Sequence, residues 1–398
     1  MSKNVYVLVG GGSGGHIMPL IPISEAIKKL DSNAYIVHVG QKNDKFNDVL
    51  KSREELIDAN YTISAGKYRR YNGESNLKRI FDFKTNFLNV RDLFRFIFGI
   101  FQARKLLKKV NPKIVFMKGG FVCAPVGIAA SKLNISYITH DSDAIVSLAH
   151  RIIAGSASLH LTAMPVENYP KYDQAKTVQV GVPVRKEFSK VTSINKENLR
   201  KELGFSGEEK IILVVGGGLG SKVVNDSVIE GASQLLTDPM VRIVNVTGHK
   251  LYKSVCEKYK QLLDSELLKR VNIIDFTEEM YKFSGSADVV ITRAGATNMA
   301  ELSAQAKACI IVPNPLLTAG HQLKNAEVFA NNKAAIVVNE NNIQELIPKT
   351  IELLNNVNMQ EELATKLNSM FINNAAEKIA KYLVNYSEFG GQNGNLQS

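Results

Sequence analysis

The sequence predicts an α/β chain of two domains, each a parallel β-sheet covered by helices on both faces. Three observations carry that prediction. Short β-branched apolar runs recur along the chain with helically spaced segments between them. Two of the runs, Val5–Val9 and Lys210–Val215, end in glycine loops that open a helix. A chain of 398 residues is long enough for two domains that each bury a core.

In the first half, Val5–Val9 reads as a strand, Gly10–Gly15 as a tight loop and Ile17–Leu30 as a helix. Tyr35–Val39, Ile114–Met117 and Ile135–Thr139 repeat the buried-strand pattern. The second half restarts with Lys210–Val215 and the loop "GGGLGSKVVN" (Gly216–Asn225). Further strands are predicted at Val241–Val246, Val271–Ile274, Asp288–Ile291, Cys309–Val312 and Ala335–Val338. Pro165, Pro170 and Pro183 punctuate the join, which predicts domains over 1–165 and 185–370. A last amphipathic helix, about 374–387, is expected to pack back on the first domain, and the Gly/Asn/Gln-rich tail 388–398 to be disordered.

Composition narrows the function classes. The chain is 45% hydrophobic and 22% charged, as globular proteins are. Its formal charge of +11 favours an anionic partner. The three cysteines, Cys123, Cys256 and Cys309, have no metal or disulfide spacing, which fits a reducing compartment. The N-terminus enters a strand directly, so no signal peptide is expected, and no run reaches the roughly 18 apolar residues of a spanning helix.

The first loop, "GGGSGGHIMP" (Gly10–Pro19), contains the dinucleotide pattern at Gly10, Gly12 and Gly15. A nicotinamide cofactor would also want a carboxylate at the end of the second strand. That strand ends His38-Val39-Gly40-Gln41, so the cofactor is not expected. The glycines either permit a tight turn or bring backbone N–H groups to another anion. His16, at the mouth of the helix, has the chemistry to accept a proton from a hydroxyl or to hold a phosphate.

Three other segments carry candidate chemistry. In "FTEEMYKFSGSADVVITRAGATNMAEL" (Phe276–Leu302), a buried strand leads to Arg293, and Gly295 and Ala296 open a helix carrying Glu301. Arg293 and the helix N-terminus suit a leaving phosphate, and Glu301 suits a ribose diol; a surface ion pair between the two is the plain alternative. "PNPLLTAGHQLKNA" (Pro313–Ala326) presents His321, Gln322 and Asn325 for sugar hydroxyls. "HDSDAIVSLAHR" (His140–Arg151) puts Asp141 and Asp143 at a strand's carboxyl end, for chemistry or, at Asp141 or Ser142, to cap the next helix.

The segment Arg79–Val110 holds more phenylalanine, arginine and lysine than one core-facing stripe needs. Phe94, Phe98 and Phe101 with Arg95 and Lys105 suggest a face for an anionic membrane. Single-stranded nucleic acid is the other partner such residues suit, but no RNA-binding signature accompanies them, so no nucleic-acid partner is expected.

Taken in order, these motifs resemble the MurG-type GT-B glycosyltransferases. That family transfers N-acetylglucosamine from UDP-GlcNAc to undecaprenyl-pyrophosphoryl-MurNAc-pentapeptide (lipid I), forming lipid II. "GGGSGGHIMP", "KGGFVCAPVGIAA" (Lys118–Ala130), "GVPVR" (Gly181–Arg185), "VVGGGLGSKVVN", "TRAGATNMAE" and "HQLKNA" follow the family's order over nearly the whole chain.

The resemblance implies a GT-B architecture: two Rossmann-like domains with a cleft between them. It implies an inverting transfer with UDP-GlcNAc as donor and an undecaprenyl-diphosphate-linked acceptor. It puts His16 at the acceptor, as base or as ligand of the acceptor's diphosphate. Asp141, from the strand-end reading above, stands beside it as a catalytic candidate, with Gly11, Ser13, Gly14, Gly15 and Asp143 toward the acceptor. On the donor side it implies uracil at the backbone of Phe276 and Thr277, and the ribose on Glu301. The donor diphosphate falls near Arg293, Gly295 and Ala296, with Gly217, Gly218 and Ser221 close by, and the GlcNAc hydroxyls on His321 and Gln322. No cofactor or metal is called for. The Phe-rich basic segment becomes a peripheral attachment to the cytoplasmic face of the cell membrane.

Two segments depart from the family pattern. Its "HEQN" is His140-Asp141-Ser142-Asp143 here, and its "GGSQGA" loop is Gly216–Ser221 without the glutamine. Three rivals therefore stand beside the main reading: a glycolipid glycosyltransferase using another UDP-sugar or lipid acceptor, a UDP-GlcNAc 2-epimerase, and a non-catalytic membrane-associated subunit that binds UDP or lipid.

Overall fold

The computed structural model describes residues 3–44, 47–68, 82–317 and 320–386. Residues 79–81 of the Phe-rich segment and the tail 388–398 lie outside them. The chain divides into two units, Met1–Arg185 with Ile372–Ser398, and Lys186–Phe371.

The first unit is built on a seven-stranded sheet of order β3-β2-β1-β4-β5-β6-β7, parallel throughout. Its strands are β1 (Asn4–Gly10), β2 (Ala34–Gln41), β3 (Ala59–Ile63), β4 (Ile114–Gly119), β5 (Tyr137–Asp141), β6 (Leu159–Thr162) and β7 (Thr177–Gln179). Side chains alternate across β1 and feed two cores. Tyr6 and Leu8 pack with Ile17, Leu20 and Ile27 on one face, and Val7 and Val9 with Leu107, Met117 and Val126 on the other. The helix Ala375–Val384 belongs to the first of these cores through Ile379 and Leu383.

Three local features differ from the sequence expectation. The helix after the first loop comes as two pieces, Gly14–Ile17 and Leu20–Leu30, because Pro19 has no N–H to continue the ladder. β5 runs two residues further than expected, so Asp141 is its last residue. The short strands β3, β6 and β7 carry too many polar residues for the sequence pattern to mark them.

The second unit holds a six-stranded parallel sheet of order β10-β9-β8-β11-β12-β13. Its strands are β8 (Lys210–Val215), β9 (Val241–Val246), β10 (Val271–Ile274), β11 (Val289–Thr292), β12 (Ala308–Ile311) and β13 (Ile336–Val337). Ile212, Val214, Ile291 and Ile310 pack against Val224, Val228, Leu346 and Leu353. In each sheet the strand order reverses beside the first strand, β1 or β8, and the glycine loop leaves from its carboxyl end. Ligands of open α/β sheets bind at such switch points.

Candidate active site

At the end of β1, Gly12 takes a positive φ of 85° and its N–H donates to the Asp44 carboxylate at 2.5 Å. A carboxylate beyond β2 therefore does meet the loop, from further along the chain than a dinucleotide fingerprint places it. Gly120 closes the loop from the other side: with φ at 93°, a Cβ there would lie 2.1 Å from the Gly11 carbonyl oxygen.

His16 sits in the short helix Gly14–Ile17, half-buried. Its Nδ1 is 2.9 Å from the Gly11 carbonyl and 3.1 Å from Ser13 Oγ. A carbonyl only accepts, so Nδ1 carries the hydrogen and Nε2 keeps its lone pair. Burial and the nearby Lys118 charge push the imidazole down to about 4, so the ring is neutral at physiological pH. Gly14 and Gly15 form the first residues of the same helix, whose cap residue Ser13 makes no capping bond.

Asp141 is 4% exposed and committed. Its Oδ1 is 3.0 Å from His150 Nδ1 and accepts from the Ser147 N–H at 3.2 Å, while Oδ2 accepts from the Tyr172 hydroxyl at 2.5 Å. Burial alone would raise this carboxyl; the His150 charge outweighs it and holds Asp141 below the usual carboxylate range. Both of its oxygens are thus engaged within the first unit, by His150 and Ser147 on one and Tyr172 on the other. Asp141 does not cap the following helix: Ser147 does, accepting from the His150 N–H. Asp143 is half-buried, and its carbonyl accepts from the Tyr169 hydroxyl at 2.7 Å, which ties down the loop after β5.

In the second unit, the backbone of Gly217 and Gly218 is open, since a Cβ on either would meet nothing within 4 Å. Ser221 caps the helix Lys222–Glu230 by accepting from the Val224 N–H, and a hydroxyl that accepts still has its own proton to donate. The helices Ala296–Ala304 and His321–Asn331 start on Gly295 and Gly320, and neither has a side-chain cap. They follow β11 and β12, so two positive helix ends stand at the carboxyl side of this sheet.

Arg293 is 7% exposed, and its Nη1 lies 2.6 Å from Glu340 Oε1 and donates to the Val312 carbonyl at 2.9 Å. The ion pair is thus real but internal, and its partner is Glu340 rather than Glu301. Glu301 stands half-buried in the helix Ala296–Ala304. Gln322 Oε1 accepts from the Asn314 N–H at 2.9 Å, next to His321 in the first turn of its helix. Asn325 is buried and donates to the Ala294 carbonyl, joining the two glycine-started helices. Phe276 is exposed and stacks on His249 with ring centroids 5.2 Å apart, and Thr277 Oγ1 accepts from the Glu279 N–H.

The basic aromatic segment is the helix Phe83–Val110, started by Asp82, which caps Thr85, and ended by Asn111 in the left-handed conformation. One face is buried through Asp92, Ala103, Leu106 and Leu107. Phe87, Phe94, Phe98 and Phe101 stand exposed with Val90 and Ile97 at helical spacing, with Lys105 exposed alongside. Arg95 is exposed too, and pairs with Asp92 at 3.3 Å. No helix among the described residues is long and apolar enough to cross a membrane. Among the same residues, no group of three His, Cys, Asp or Glu side chains is arranged to hold a metal ion.

Sequence reasoning missed Lys118, His150, Tyr172, Asp44 and Glu340. Only Lys118 left a local signal, a single cation in the otherwise apolar strand end "IVFMKGG".

Residues 6–159 match the N-terminal domain of glycosyltransferase family 28, and residues 211–382 its C-terminal domain. A protein of Thermoanaerobacter sp. (strain X514) is 30% identical over 383 residues, 95% of this chain and 98% of its own. One from Clostridium tetani (strain Massachusetts / E88) is 32% identical over 386 residues, 96% of this chain and 98% of its own. Both are named UDP-N-acetylglucosamine–N-acetylmuramyl-(pentapeptide) pyrophosphoryl-undecaprenol N-acetylglucosamine transferase. Among solved structures, Acinetobacter baumannii MurG aligns with a TM-score of 0.69 at 21% identity, over 96% of this chain and 99% of that one. A UDP-GlcNAc 2-epimerase from Neisseria meningitidis aligns with 0.63 at 15%, over 96% and 99%, so the two-sheet fold alone does not separate transferase from epimerase. The full-length sequence likeness does: the chain belongs to the MurG family of N-acetylglucosamine transferases, within glycosyltransferase family 28.

Proposed function

We infer that this chain transfers N-acetylglucosamine from UDP-GlcNAc to the MurNAc of lipid I, forming lipid II. The carrying observation is the end-to-end likeness to transferases of that name, at 30% identity over 383 residues. The chain works as an inverting enzyme. The acceptor hydroxyl attacks the anomeric carbon, its proton passes to His16 Nε2, and the bond to UDP breaks with its electron pair leaving on the diphosphate.

The geometry supports a division of labour. His16 is neutral with an available lone pair, and Gly11, Ser13, Gly14 and Gly15 take the acceptor's diphosphate, while the Gly12 N–H is held by the Asp44 carboxylate. The uncapped starts at Gly295 and Gly320 stabilise charge on departing UDP. Arg293 and Asn325 act behind them, fixing the strand ends that carry those helices. Glu301 takes the ribose diol, His321 and Gln322 the sugar hydroxyls, and the backbone of Phe276 and Thr277 the uracil. The exposed Phe87–Phe101 stripe holds the protein on the anionic cytoplasmic face of the membrane, where lipid I is presented.

The test is incubation with labelled UDP-GlcNAc and lipid I, with UDP-glucose or UDP-galactose and diacylglycerol as the comparison. Label in a lipid I product, and none in diacylglycerol, is the expected result. The reverse pattern, or UDP binding with no transfer to either acceptor, contradicts the reading.

A further inference from the structure

The strands β9 and β10 end side by side, and just past their last residues the chain closes a contact outside the transfer chemistry. Thr247 ties the two ends together, donating its N–H and its hydroxyl to the Ile274 carbonyl at 2.8 and 3.2 Å. Gly248, with φ at 84°, then turns the chain, and His249 follows. On the other strand, Asp275, Phe276 and Thr277 follow Ile274.

Asp275 holds two groups at once. Its Oδ2 lies 2.8 Å from His249 Nδ1, and its Oδ1 accepts from the Phe276 N–H at 2.8 Å. The imidazole in turn stacks on the Phe276 ring, with the planes 29° apart. Phe276 is thus held by its ring and by its backbone, and one carboxylate anchors both. Stability does not account for the arrangement. The His249 and Asp275 side chains are 66% and 47% exposed, and an ion pair so open to water contributes little to folding. What the clamp does fix is the direction of the peptide after Phe276. The far side of that peptide is pinned as well, where Thr277 Oγ1 accepts from the Glu279 N–H.

We propose that His249 and Asp275 are positioning residues for the donor's base: together they hold the Phe276–Thr277 backbone in the direction that accepts uracil and rejects cytosine. The proposal rests on uracil binding at that backbone and deepens that reading. Uracil presents an N–H at N3 and a carbonyl at C4, so a peptide carbonyl and a peptide N–H match it when both are correctly aimed. Cytosine presents an acceptor at N3 and an amino group at C4, which is the reverse pattern. A fixed peptide edge therefore discriminates between the bases, and an edge free to turn discriminates less.

The experiment measures Kd for UDP and for CDP by calorimetry, on the full chain without acceptor. The wild type should prefer UDP. His249→Ala should weaken UDP binding by about three- to tenfold, the net worth of one hydrogen bond, and leave CDP binding nearly unchanged. Asp275→Asn should shrink the preference in the same direction. The double variant should do no more than the poorer single one, because the pair acts as a unit. A clamp that merely kept the loop in shape would weaken UDP and CDP alike, and that result overturns the proposal. An unchanged preference in His249→Ala, or a wild type indifferent to the base, overturns it equally. Should His249→Ala fail to fold, Asp275→Asn carries the same test. Base selection needs no turnover. A wild type that selects UDP yet transfers nothing to lipid I would sink the functional reading and leave the clamp standing. A wild type that transfers, while His249→Ala keeps its full preference for UDP, sinks the clamp alone.

Discussion

The Nδ1 of His16 lies 2.9 Å from the carbonyl oxygen of Gly11, and that contact fixes which ring nitrogen is free to take a proton. The glycine loop and the histidine are one device: the loop's backbone selects the tautomer, and the ring presents Nε2. His16→Ala should lower kcat for transfer by about 10²–10⁴-fold, the usual span of general-base catalysis. UDP affinity, measured by calorimetry, should stay at the wild-type value. A loss of transfer below about tenfold would remove His16 from the chemistry.

Arg293 and Glu340 should behave as one unit. Both side chains are largely buried, so Glu340→Gln leaves an uncompensated guanidinium, at a cost of about 3–5 kcal/mol. Differential scanning calorimetry should show a Tm fall of about 6 °C or more, with a raised KM for UDP-GlcNAc as the strand end loosens. Wild-type Tm and KM in Glu340→Gln would mean that Arg293 acts by direct contact with the donor instead.

The Asp141–His150 pair predicts a pH window of stability. Burial raises Asp141 and lowers His150, and in each case the partner's charge reverses the sign. Asp141, held below its ordinary 3.8, contributes above that pH and loses its contribution as pH falls further. His150, held above its ordinary 6.5, contributes fully below that pH and progressively less above it. The Tm difference between wild type and Asp141→Asn should therefore be largest between pH 3.8 and 6.5 and shrink on either side. Parallel Tm–pH curves for the two proteins would refute the pairing.

The exposed aromatic stripe makes a separate prediction. Replacing Phe94, Phe98 and Phe101 together with serine should weaken binding to phosphatidylglycerol vesicles by about 10²-fold or more, by co-sedimentation. Charge reversal at Lys105 should chiefly reduce the salt dependence of what remains. Undiminished vesicle binding by the triple variant would move the membrane contact elsewhere.

Much of the fold is written locally. Val5–Val9 and Lys210–Val215 are β-branched, end in glycine and precede helical spacing, so both sheets can be read from single segments. β7 cannot: "TVQ" has no apolar run, and it exists because β6 offers an edge to pair with. The candidate site divides in the same way. His16, Gly217 and Glu301 announce themselves by position next to a loop or strand end. The partner of Arg293 does not, because Glu301 is near in sequence while Glu340 arrives through the 3-10 turn after β13. Asp141 looks available in "HDSD" until the chain returns with His150 and Tyr172 to claim both of its oxygens.

The most direct measurement is the mass spectrum of the lipid recovered after incubating the chain with lipid I and UDP-GlcNAc. A gain of one N-acetylhexosamine residue on lipid I, in β linkage by NMR, is the predicted result. Unchanged lipid I beside free sugar, or an α-linked product, would contradict an inverting transfer that forms lipid II.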